Sequence, residues 1–534
     1  MRRRKVAESL SAFGILLLIA GCPPFGGREA PSSQSNATLS CRLHPDPGAK
    51  PVPDSIYGLA AAPADSLRRC GAGVNRWGGN TASRYNWRLG DAWNTGKDWY
   101  FSNVAVEEEA WRKFVDASLR EEALVVVTVP LVGWVAKDTA SYSFSVEKYG
   151  PQQETNPHNA DAGNGILRGG NPVRDNDPED ASIRAGPDFV AEWLRELVRA
   201  YPQLHDNGRL VIAIGNEPML WHVTHRDVHP EPVRREAYLR RYVAMARRVR
   251  EVMPRARIAG PEVWGWPAYF RAAGEKRGLG RKTAFLPWFL GELRALEAST
   301  GERLLDILTV HYYPQARGVF SPATGGIVNF RRAAAPRSLY DPGYEDPSWI
   351  ATEIRLLHRL REWVDARWPG TRIGITEFNW GAEAHISGAL ALADCLGAFG
   401  RHGLDLACYW THPPKGSMAE AVYRLFRNAD GEGARFGDQP VRVEWRGAEP
   451  EKTRLYAAID GNGVLTLIAL NKSRMRKTLR FEAPEFALKA THGAWILGPE
   501  GAEIRPPTAR PRKGEGEFWM LELPPQSIQH LHLR

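Results

Sequence analysis

The sequence predicts an α/β protein: a (β/α)8 TIM barrel with an accessory C-terminal antiparallel β-sandwich domain. Three observations predict it. Apolar runs of strand length alternate with helical patterns over most of the chain, two of these runs lead directly into a glutamate, and the last part of the chain changes to short alternating strands. Because a barrel places its chemistry at the carboxyl ends of its strands, the two glutamates are candidate site residues.

Eight apolar runs carry the strand pattern, and amphipathic helical patterns separate most of them. The runs are 56–61, 74–77, 124–130, 210–214, 257–260, 307–311, 372–376 and 406–410. The helical patterns are 106–122, 187–201, 233–253, 284–299, 349–367 and 386–401. Strands that alternate with helices pair in parallel, so these units indicate a closed barrel over residues 54–416.

Two long polar segments, 137–186 and 317–347, interrupt this pattern after strands. Loops of such length in a compact domain are usually functional, so we expect them to form the walls of a groove, with plain surface elaboration as the competing view. From 417 to 534 the chain predicts a separate sandwich. Its strands are expected at 441–445, 455–459, 464–471, 478–481, 494–497 and 518–523.

The N-terminus has the pattern of a bacterial export signal. Basic residues at 2–5 precede an apolar run at 10–20, and small residues stand immediately before Cys22. This arrangement resembles a lipobox, which predicts a signal peptide at 1–21 and lipidation of Cys22. An ordinary cleaved signal and an uncleaved anchor are the alternatives, and all three imply export. Residues 22–53 are rich in Pro, Ser and Gly and are expected to form a tether, with a strand contributed to the sandwich as a further option.

Composition argues against a nucleic-acid partner. The formal net charge of +9 falls to about +6 once residues 1–21 are removed, because four basic residues and one acidic residue leave with them. The remaining excess is dispersed and forms no stripe with stacking aromatics. The 19 Trp are more informative, because sugar rings stack on aromatic faces. Candidate disulfides join Cys41 to Cys70 and Cys395 to Cys408, and buried free thiols fit equally well.

Glu217 and Glu377 are the candidate catalytic residues. Each ends a strand pattern, and Glu377 stands three strands after Glu217. In a retaining glycosidase one carboxyl protonates the leaving oxygen while the other attacks the anomeric carbon. Asn216 is suited to bind a sugar hydroxyl beside the reacting carbon. The segment Asn216-Glu217-Pro218 is also typical of a helix start, which is the alternative interpretation.

Other residues at strand ends could support this chemistry. Arg76 could hold the nucleophile ionised or form a structural ion pair, and His311 and Tyr313 could contact Glu377 or a sugar. Trp380 and Trp410 could form a floor under the sugar. Weaker aromatic candidates are Trp77, Trp87, Trp99 and Trp221. His225, Asp227 and His229 lack zinc-site spacing, so we predict no metal site and expect them to fix the loop after the fourth strand.

The chain resembles glycoside hydrolase family 44 over roughly residues 54–530. The segments that carry the resemblance are Ile56-Tyr57-Gly58, Arg76-Trp77-Gly78-Gly79-Asn80, Ser83-Arg84-Tyr85-Asn86-Trp87, Asp98-Trp99-Tyr100, Gly215-Asn216-Glu217-Pro218 with Trp221, 224–230, His311-Tyr312-Tyr313-Pro314, Thr376-Glu377-Phe378-Asn379-Trp380-Gly381, and 427–431 with 436–438. Phe378 stands where the family has Tyr, and Ala429 stands where an aromatic is usual, which concerns subsite contacts.

The resemblance implies an endo-β-1,4-glucanase that acts on β-glucans such as cellulose derivatives and xyloglucan, with Glu217 as acid/base and Glu377 as nucleophile. It implies no required cofactor, and a structural calcium in the loop 430–438 stays an option. Asn80 joins the predicted substrate-binding residues through its motif. The alternatives are another endo-β-glycanase, for mannan or xylan, and a non-catalytic glycan-binding lipoprotein of the cell surface. We expect a monomer on the bacterial envelope or secreted.

Overall fold

The computed structural model describes residues 38–206, 208–275, 283–514 and 518–534. Eight parallel strands in this part of the chain form a closed barrel, as predicted. In chain order, these first to eighth strands are Gly58–Ala60, Val74–Trp77, Leu124–Val129, Leu210–Ile214, Arg257–Val263, Ile307–Tyr312, Arg372–Phe378 and Leu406–Tyr409. The first strand pairs with the second and the eighth, which closes the barrel. The signal-peptide prediction for 1–21 and the lipidation prediction for Cys22 lie outside the described residues.

A ring of helices covers the barrel, because each amphipathic helix buries its apolar face against the strands. The covering helices are Ala64–Cys70, Ala110–Arg120, Pro187–Ala200, Arg235–Val252, Phe285–Thr300, Leu356–Arg367, Ile386–Arg401 and Met418–Arg427. Shorter helices are Gly79–Ala82, Val146–Tyr149, Gln203–Asp206, Trp221–Thr224, Trp266–Phe270 and Gly326–Ala334. Every helix in the described ranges is too short or too polar to cross a membrane.

Short strands and 3-10 helices decorate the loops after the barrel strands. After the second strand, Tyr85–Asn86, Ala92–Asn94 and Asn103–Ala105 form a small antiparallel sheet. Two strand pairs involve the segment 137–186: Ser182–Arg184 pairs with Trp134–Ala136 just ahead of the segment, and Thr155–Asn156 pairs with Asn159–Gly163. The 3-10 helices are Asp54–Ile56, Gly96–Trp99, Pro178–Asp180, Pro218–Leu220, Ala335–Leu339 and Pro484–Phe486.

The accessory domain is one nine-stranded sheet that folds over on itself. Across the sheet its strands are Thr491–Leu497, Ser527–Leu533, Leu465–Asn471, Thr453–Ile459, Gln439–Trp445, Thr38–Pro45, Lys477–Glu482, Phe518–Leu523 and Arg512–Lys513. Apolar side chains from both halves form a single core, and Asn471 donates to the backbone oxygen of Leu523 across the fold, 3.0 Å away. The sheet is therefore a sandwich in the predicted sense.

One sequence-based boundary differs from the structure, and one predicted option is present. The strand Thr38–Pro45 lies in the middle of the sheet and pairs in parallel with Lys477–Glu482, so the segment 22–53 does contribute a strand to the sandwich, and this part of it is not a tether. Residues 418–427 form a helix that packs on Ile386–Arg401 and Ala64–Cys70, so the β-rich region begins at Gln439 instead of 417. The apolar residues of 418–427 recur at helical spacing, so this segment forms the last helix of the ring around the barrel. The change of composition near 417 therefore does not mark the start of the sheet.

The helix Ile386–Arg401 lies between the barrel and the sheet, and its residues from Ile386 to Gly400 are all buried. Gly397 permits this packing, because a Cβ there would lie 2.3 Å from the Tyr456 ring of the sheet. Full burial of each large apolar side chain contributes about 1.5–3 kcal/mol, so this helix fixes the sheet against the barrel. Cys41, Cys70, Cys395 and Cys408 are buried free thiols, and neither candidate disulfide is formed.

Candidate active site

Glu217 and Glu377 face each other at the carboxyl end of the barrel. One carboxylate oxygen from each, together with a ring nitrogen of His311, lie within 4.8 Å of one another. Both glutamates are largely enclosed, with 3% and 4% of their surfaces exposed. The two carboxyl groups therefore border the same small space, which is the arrangement that covalent catalysis at a sugar requires.

The turn after the fourth strand aims Glu217 into the barrel mouth. Gly215 has a φ of +78°, and Glu217 itself adopts the left-handed region at a φ of +43°. Such a conformation costs a non-glycine residue of order 1 kcal/mol and is typical of functional sites. Glu217 precedes the short helix Pro218–Leu220, but its side chain makes no capping bond. The Glu217 carboxyl group therefore does not cap this helix.

Asn216 is held between two partners at the barrel mouth. Its Oδ1 accepts from Arg76 Nη2 at 3.2 Å, and its Nδ2 donates to Asn80 Oδ1 at 3.4 Å. Asn80 in turn donates to Asp98 at 3.1 Å. Trp221 Nε1 donates to the backbone oxygen of Asn216 at 2.9 Å. This indole is fully buried, so it supports the Asn216 segment from below, and its predicted contact with substrate is wrong.

Arg76 reaches Glu377 from the second strand. Its Nη1 donates to Glu377 Oε1 at 2.9 Å, and its Nη2 donates to Glu262 Oε2 at 3.0 Å. Burial alone would lower the pKa of Arg76, but Glu262 and Glu377 raise it above its ordinary value. Arg76 therefore stays cationic and stabilises the charged form of Glu377, which favours the first of the two predicted roles.

His311 and Tyr313 complete the surroundings of the two carboxylates. His311 Nδ1 lies 2.9 Å from Glu217 Oε1 and 3.3 Å from Glu377 Oε2. Tyr313 donates its hydroxyl to Glu377 Oε2 at 2.9 Å. Burial opposes the charge on His311, but the Glu377 carboxylate and hydrogen bonds to Glu217 and Glu262 raise the pKa of His311 to about 9. The predicted contact of both residues with Glu377 is present.

The environments of the two carboxyl groups differ, as their roles require. Burial raises the pKa of Glu217, although the hydrogen bond from His311 acts in the opposite direction. Glu377 instead receives hydrogen bonds from Arg76 and Tyr313, which stabilise an ionised oxygen. Glu217 is thereby suited to carry a proton and Glu377 to attack.

The sequence-based site omitted Glu262. This residue lies in the fifth strand, fully buried, and Arg76, His311 and Thr376 all contact its Oε2. Burial would raise the pKa of Glu262, but the Arg76 charge and the His311 bond lower it to about 2. The available signal was the same one that identified Glu217: an acidic residue directly after the apolar run 257–260.

Among the predicted aromatic platforms, Trp410 has the expected position. Its half-buried ring packs against Gly79, where a Cβ would lie 2.4 Å from Cη2, and it lies 5.9 Å from Arg76 Cζ. Asn379 Nδ2 holds the backbone oxygen of Trp410 at 2.7 Å. A ring beside Arg76 at the mouth is available to stack on a sugar.

Trp77 and Trp380 are packing residues, contrary to the prediction. Side chains alternate along a strand, so Trp77 points away from the mouth when Arg76 points into it. Trp77 packs on Phe114 with ring centroids 5.6 Å apart. Trp380 is buried against Tyr312 and Phe378, with centroids 5.7 and 6.2 Å away.

Trp349 is an exposed aromatic residue outside the predicted set. It is 59% exposed, and its Nε1 donates to Gln315 Oε1 at 3.3 Å. Gln315 Nε2 donates to the backbone oxygen of Tyr313 at 2.8 Å. The ring is therefore linked to the loop that carries Tyr313. Trp349 was not predicted as a site residue because it fell within the predicted helix 349–367.

Asp227 joins three loops around the mouth, as expected for a residue that fixes the loop after the fourth strand. Arg84 donates to both of its oxygens at 3.1 and 3.0 Å, and Ser143 donates to Oδ2 at 2.8 Å. Burial raises the pKa of Asp227, but the Arg84 charge lowers it below its ordinary value. The adjacent His225 is buried, and its pKa falls to about 3 through burial and the Arg84 charge.

In the described part of the chain, the group with metal-ligand spacing is Glu217, His311 and Glu377. A divalent cation there would sit beside the Arg76 guanidinium, which already bonds Glu377. A positively charged neighbour disfavours a second cation at that distance. The carboxylates thus have cationic partners of their own within the protein.

A model of glycoside hydrolase family 44 matches residues 92–316. The chain is 30% identical to Endoglucanase A of Paenibacillus lautus over 496 residues, which is 86% of this chain and 68% of the relative. A bifunctional glucanase-xylanase, CelM2, from a metagenome library superposes with a TM-score of 0.88 at 34% identity, covering 93% of this chain and 99% of that one.

A second solved structure similar to this chain is a Paenibacillus polymyxa xyloglucanase of the same family with xyloglucan. It superposes with a TM-score of 0.77 at 27% identity, and the superposition covers 93% of this chain and 99% of that one. The likeness extends through both the barrel and the sheet.

Proposed function

Because the chain belongs to glycoside hydrolase family 44 and is a glycosidase of the endoglucanase type, we propose that it is a retaining endo-β-1,4-glucanase acting on β-glucans such as cellulose derivatives and xyloglucan. One observation carries the proposed mechanism: oxygens of Glu217 and Glu377 lie within 4.8 Å of each other. Retaining enzymes hold their carboxyl groups about 5–5.5 Å apart, whereas inverting enzymes leave about 6.5–9.5 Å for a water molecule.

In the proposed first step, Glu377 attacks the anomeric carbon while Glu217 protonates the departing oxygen. The glycosidic bond breaks, and an ester to Glu377 forms. In the second step, Glu217 takes a proton from water, the water oxygen bonds to the anomeric carbon, and Glu377 leaves as a carboxylate. Arg76 and Tyr313 stabilise the charge on Glu377 before attack and after release. The proposed steps use protein groups and water, without a cofactor or catalytic metal.

The experiment compares Glu217→Gln and Glu377→Gln with the parent on carboxymethylcellulose and xyloglucan. Reducing ends report turnover, and NMR of the first product reports its anomeric form. We expect β-product before mutarotation and near-complete loss in both variants. Glu236→Gln, on an exposed helix position, is the matched control and should keep parent activity. Initial α-product, or parent-level turnover by either site variant, would exclude the proposed mechanism.

The second candidate is an enzyme for another β-glycan on the same carboxylates. The likeness to CelM2, a bifunctional glucanase-xylanase, is the specific observation that favours xylan. Mannan stays in the panel because it shares the β-1,4 linkage. A polysaccharide panel with rates for each glycan separates these substrates. A non-catalytic binding protein would bind glycan without release of reducing ends.

For location, we propose an exported, lipid-anchored monomer. The pattern before Cys22 supports this proposal. Expression with a radiolabelled fatty acid should label the parent and leave Cys22→Ala unlabelled and free of the membrane fraction. A label that persists in Cys22→Ala would place the lipid elsewhere. Sedimentation of residues 38–534 would report the oligomeric state.

A further inference from the structure

Glu262 is a third carboxylate beside the two that the proposed mechanism uses. It lies in the fifth strand and has no exposed surface, so it does not touch a substrate. Three donors converge on its Oε2: Arg76 Nη2 at 3.0 Å, His311 Nε2 at 3.1 Å and Thr376 Oγ1 at 2.8 Å. A buried charge is stable only when it is paired and hydrogen-bonded, and at Glu262 the partners all meet at Oε2, whereas Oε1 is buried without a hydrogen-bond partner in the described part of the chain.

His311 lies between Glu262 and the two reacting carboxylates. Its Nε2 faces Glu262, and its Nδ1 faces Glu217 and Glu377 at 2.9 and 3.3 Å. A neutral imidazole carries one N–H and can donate on one side only, whereas an imidazolium donates on both. Carboxylates on both sides therefore favour the doubly protonated ring.

The other charged or titratable groups around the ring are consistent with this state. The Arg76 guanidinium approaches Nε2 to 3.5 Å and opposes the positive charge, but it is itself paired with Glu262 and Glu377. Tyr313 donates its hydroxyl to Glu377. With the proton on Glu217, the carboxylates of Glu262 and Glu377 face Arg76 and His311, so the charged ring leaves this cluster with two negative and two positive groups.

We propose that Glu262 is a positioning residue that keeps His311 as an imidazolium, whose Nδ1–H serves Glu377 and Glu217 alternately during the reaction. The proposal rests on the proposed retaining mechanism. Before attack, Glu377 is ionised and Glu217 is protonated, so the N–H donates to Glu377. Once the sugar is bonded to Glu377, the negative charge lies on Glu217, and the same N–H donates there. The ring gains and loses no proton.

This arrangement lowers the cost of moving a charge inside a buried site. The net charge of the cluster is the same before and after attack, because the proton leaves Glu217 as Glu377 becomes an ester. A donor that already lies 2.9 Å from Glu217 and 3.3 Å from Glu377 needs only a small reorientation when the charge moves. The raised pKa of His311, about 9, and the lowered pKa of Glu262, about 2, are consistent with this charge state.

The test measures the protonation of His311 directly. Histidine ring nitrogens labelled with 15N distinguish imidazolium from imidazole, and a spectrum of His311→Gln identifies the signal by its absence. In the full-length parent, we expect a doubly protonated ring at pH 7.5. In Glu262→Gln, we expect the ring to lose its proton at a pH at least about one unit lower. A doubly protonated ring in Glu262→Gln at the parent's pH range would overturn the proposal.

Kinetics supply the second measurement. Glu262→Gln should lower kcat by about 10²-fold with KM nearly unchanged, because the residue positions a catalytic partner without touching substrate. Thr376→Val is the matched control: it removes a hydrogen bond to the same oxygen but no charge, so the ring should stay doubly protonated. Glu262→Asp keeps the charge and should restore the imidazolium signal at least in part. If Glu262→Gln does not fold, Glu262→Ala replaces it as the variant that removes the charge.

The outcomes separate this inference from the proposed function. An inactive parent with the imidazolium signal present would contradict the glucanase proposal alone. An active parent whose Glu262→Gln variant keeps both the signal and kcat would contradict the role of Glu262 alone. Loss of kcat in Glu262→Gln without a change in the His311 signal would show a structural role and would likewise reject the inference.

Discussion

The barrel mouth and the contact between barrel and sheet both bury charged side chains, but they pair them differently. In the mouth, Glu217, Glu262 and Glu377 face two cationic groups, and Glu217 and Glu377 each keep a few per cent of exposed surface. At the contact with the sheet, one carboxylate, Asp394, has no exposed surface. Lys472 donates to it directly, and Arg454 approaches it through the hydroxyl of Tyr340.

The difference lies in how fully each carboxylate is satisfied. Asp394 also accepts from Tyr456 at 2.5 Å and from Tyr340 at 3.1 Å, so its oxygens are committed to structure. Lys472 adds a bond to the backbone of Ala333 at 2.7 Å, in the loop after the sixth strand. Burial and pairing alone therefore do not mark a catalytic group. An excess of acid near an opening distinguishes the mouth from a structural ion cluster.

The largest effect should come from Glu377→Gln. Loss of the nucleophile should lower kcat on the order of 10⁴-fold, while the free energy of unfolding stays close to the parent value because a like-charge contact is relieved. Reducing-end assays and denaturant unfolding measure the two quantities. A large loss of stability would show that the mouth, like the sheet contact, is built mainly for structure.

The opposite result is expected for Asp394→Asn. Removal of this charge leaves Lys472 buried without its carboxylate and should destabilise the protein by about 3–5 kcal/mol, with kcat of the folded protein near the parent value. Denaturant unfolding at constant pH measures the change. Arg446→Ala, which breaks an exposed pair with Glu482, is the control and should cost about 0.5 kcal/mol or less. If the losses of stability in Asp394→Asn and Lys472→Met simply add in the double variant, the two side chains are not directly coupled.

The two clusters should also differ in pH dependence. The pKa of Glu262 is lowered to about 2, so its stabilisation is complete above pH 4.5 and is lost as the pH falls toward 2. The pKa of His311 is raised to about 9, so its stabilisation is complete below pH 6.5 and is lost as the pH rises through 9. Burial raises the pKa of Asp394, but Lys472 lowers it below its ordinary value. The stabilisation from Asp394 is therefore lost as the pH falls into the acidic range.

Unfolding free energies from pH 5 to 10 test this contrast. The parent and Asp394→Asn should both lose stability by roughly 1–3 kcal/mol toward high pH, whereas His311→Asn should lack this slope. A slope that persists in His311→Asn would assign the alkaline loss to another group.

The smallest of these effects should come from Trp410→Ala. A stacked ring contributes about 0.5–1.5 kcal/mol, so kcat/KM should fall up to about tenfold. Trp380→Phe, a change to a buried ring on the neighbouring loop, is the control for packing and should leave KM unchanged. Equal effects of the two substitutions would mean that Trp410 is also a packing residue.

Strand-end chemistry was the part of the site that the sequence predicted well. Glu217 and Arg76 directly follow or end apolar runs, and a closed barrel necessarily brings such positions together. The residues missed or misplaced have two different causes. Trp77 points outward because of the pleat of its own strand, which the prediction did not take into account. Glu262 follows an apolar run as Glu217 does, but its role depends on three donors from other strands that meet at its Oε2.

The fold shows the same limit. Local patterns identified the barrel strands, since most of them are apolar runs. A strand in 22–53 was only an option beside a tether, because its polar, Pro-rich surroundings resemble a linker and its stability comes from partners about 400 residues away in the chain.

The place of that strand has a mechanical consequence. Thr38–Pro45 is hydrogen-bonded on both sides, to Gln439–Trp445 and to Lys477–Glu482. A force applied to the chain ahead of Thr38 would therefore be carried in shear by two rows of backbone bonds in the sheet. The barrel would bear little of that load, so the geometry of its mouth would be insulated from a pull on that end of the chain.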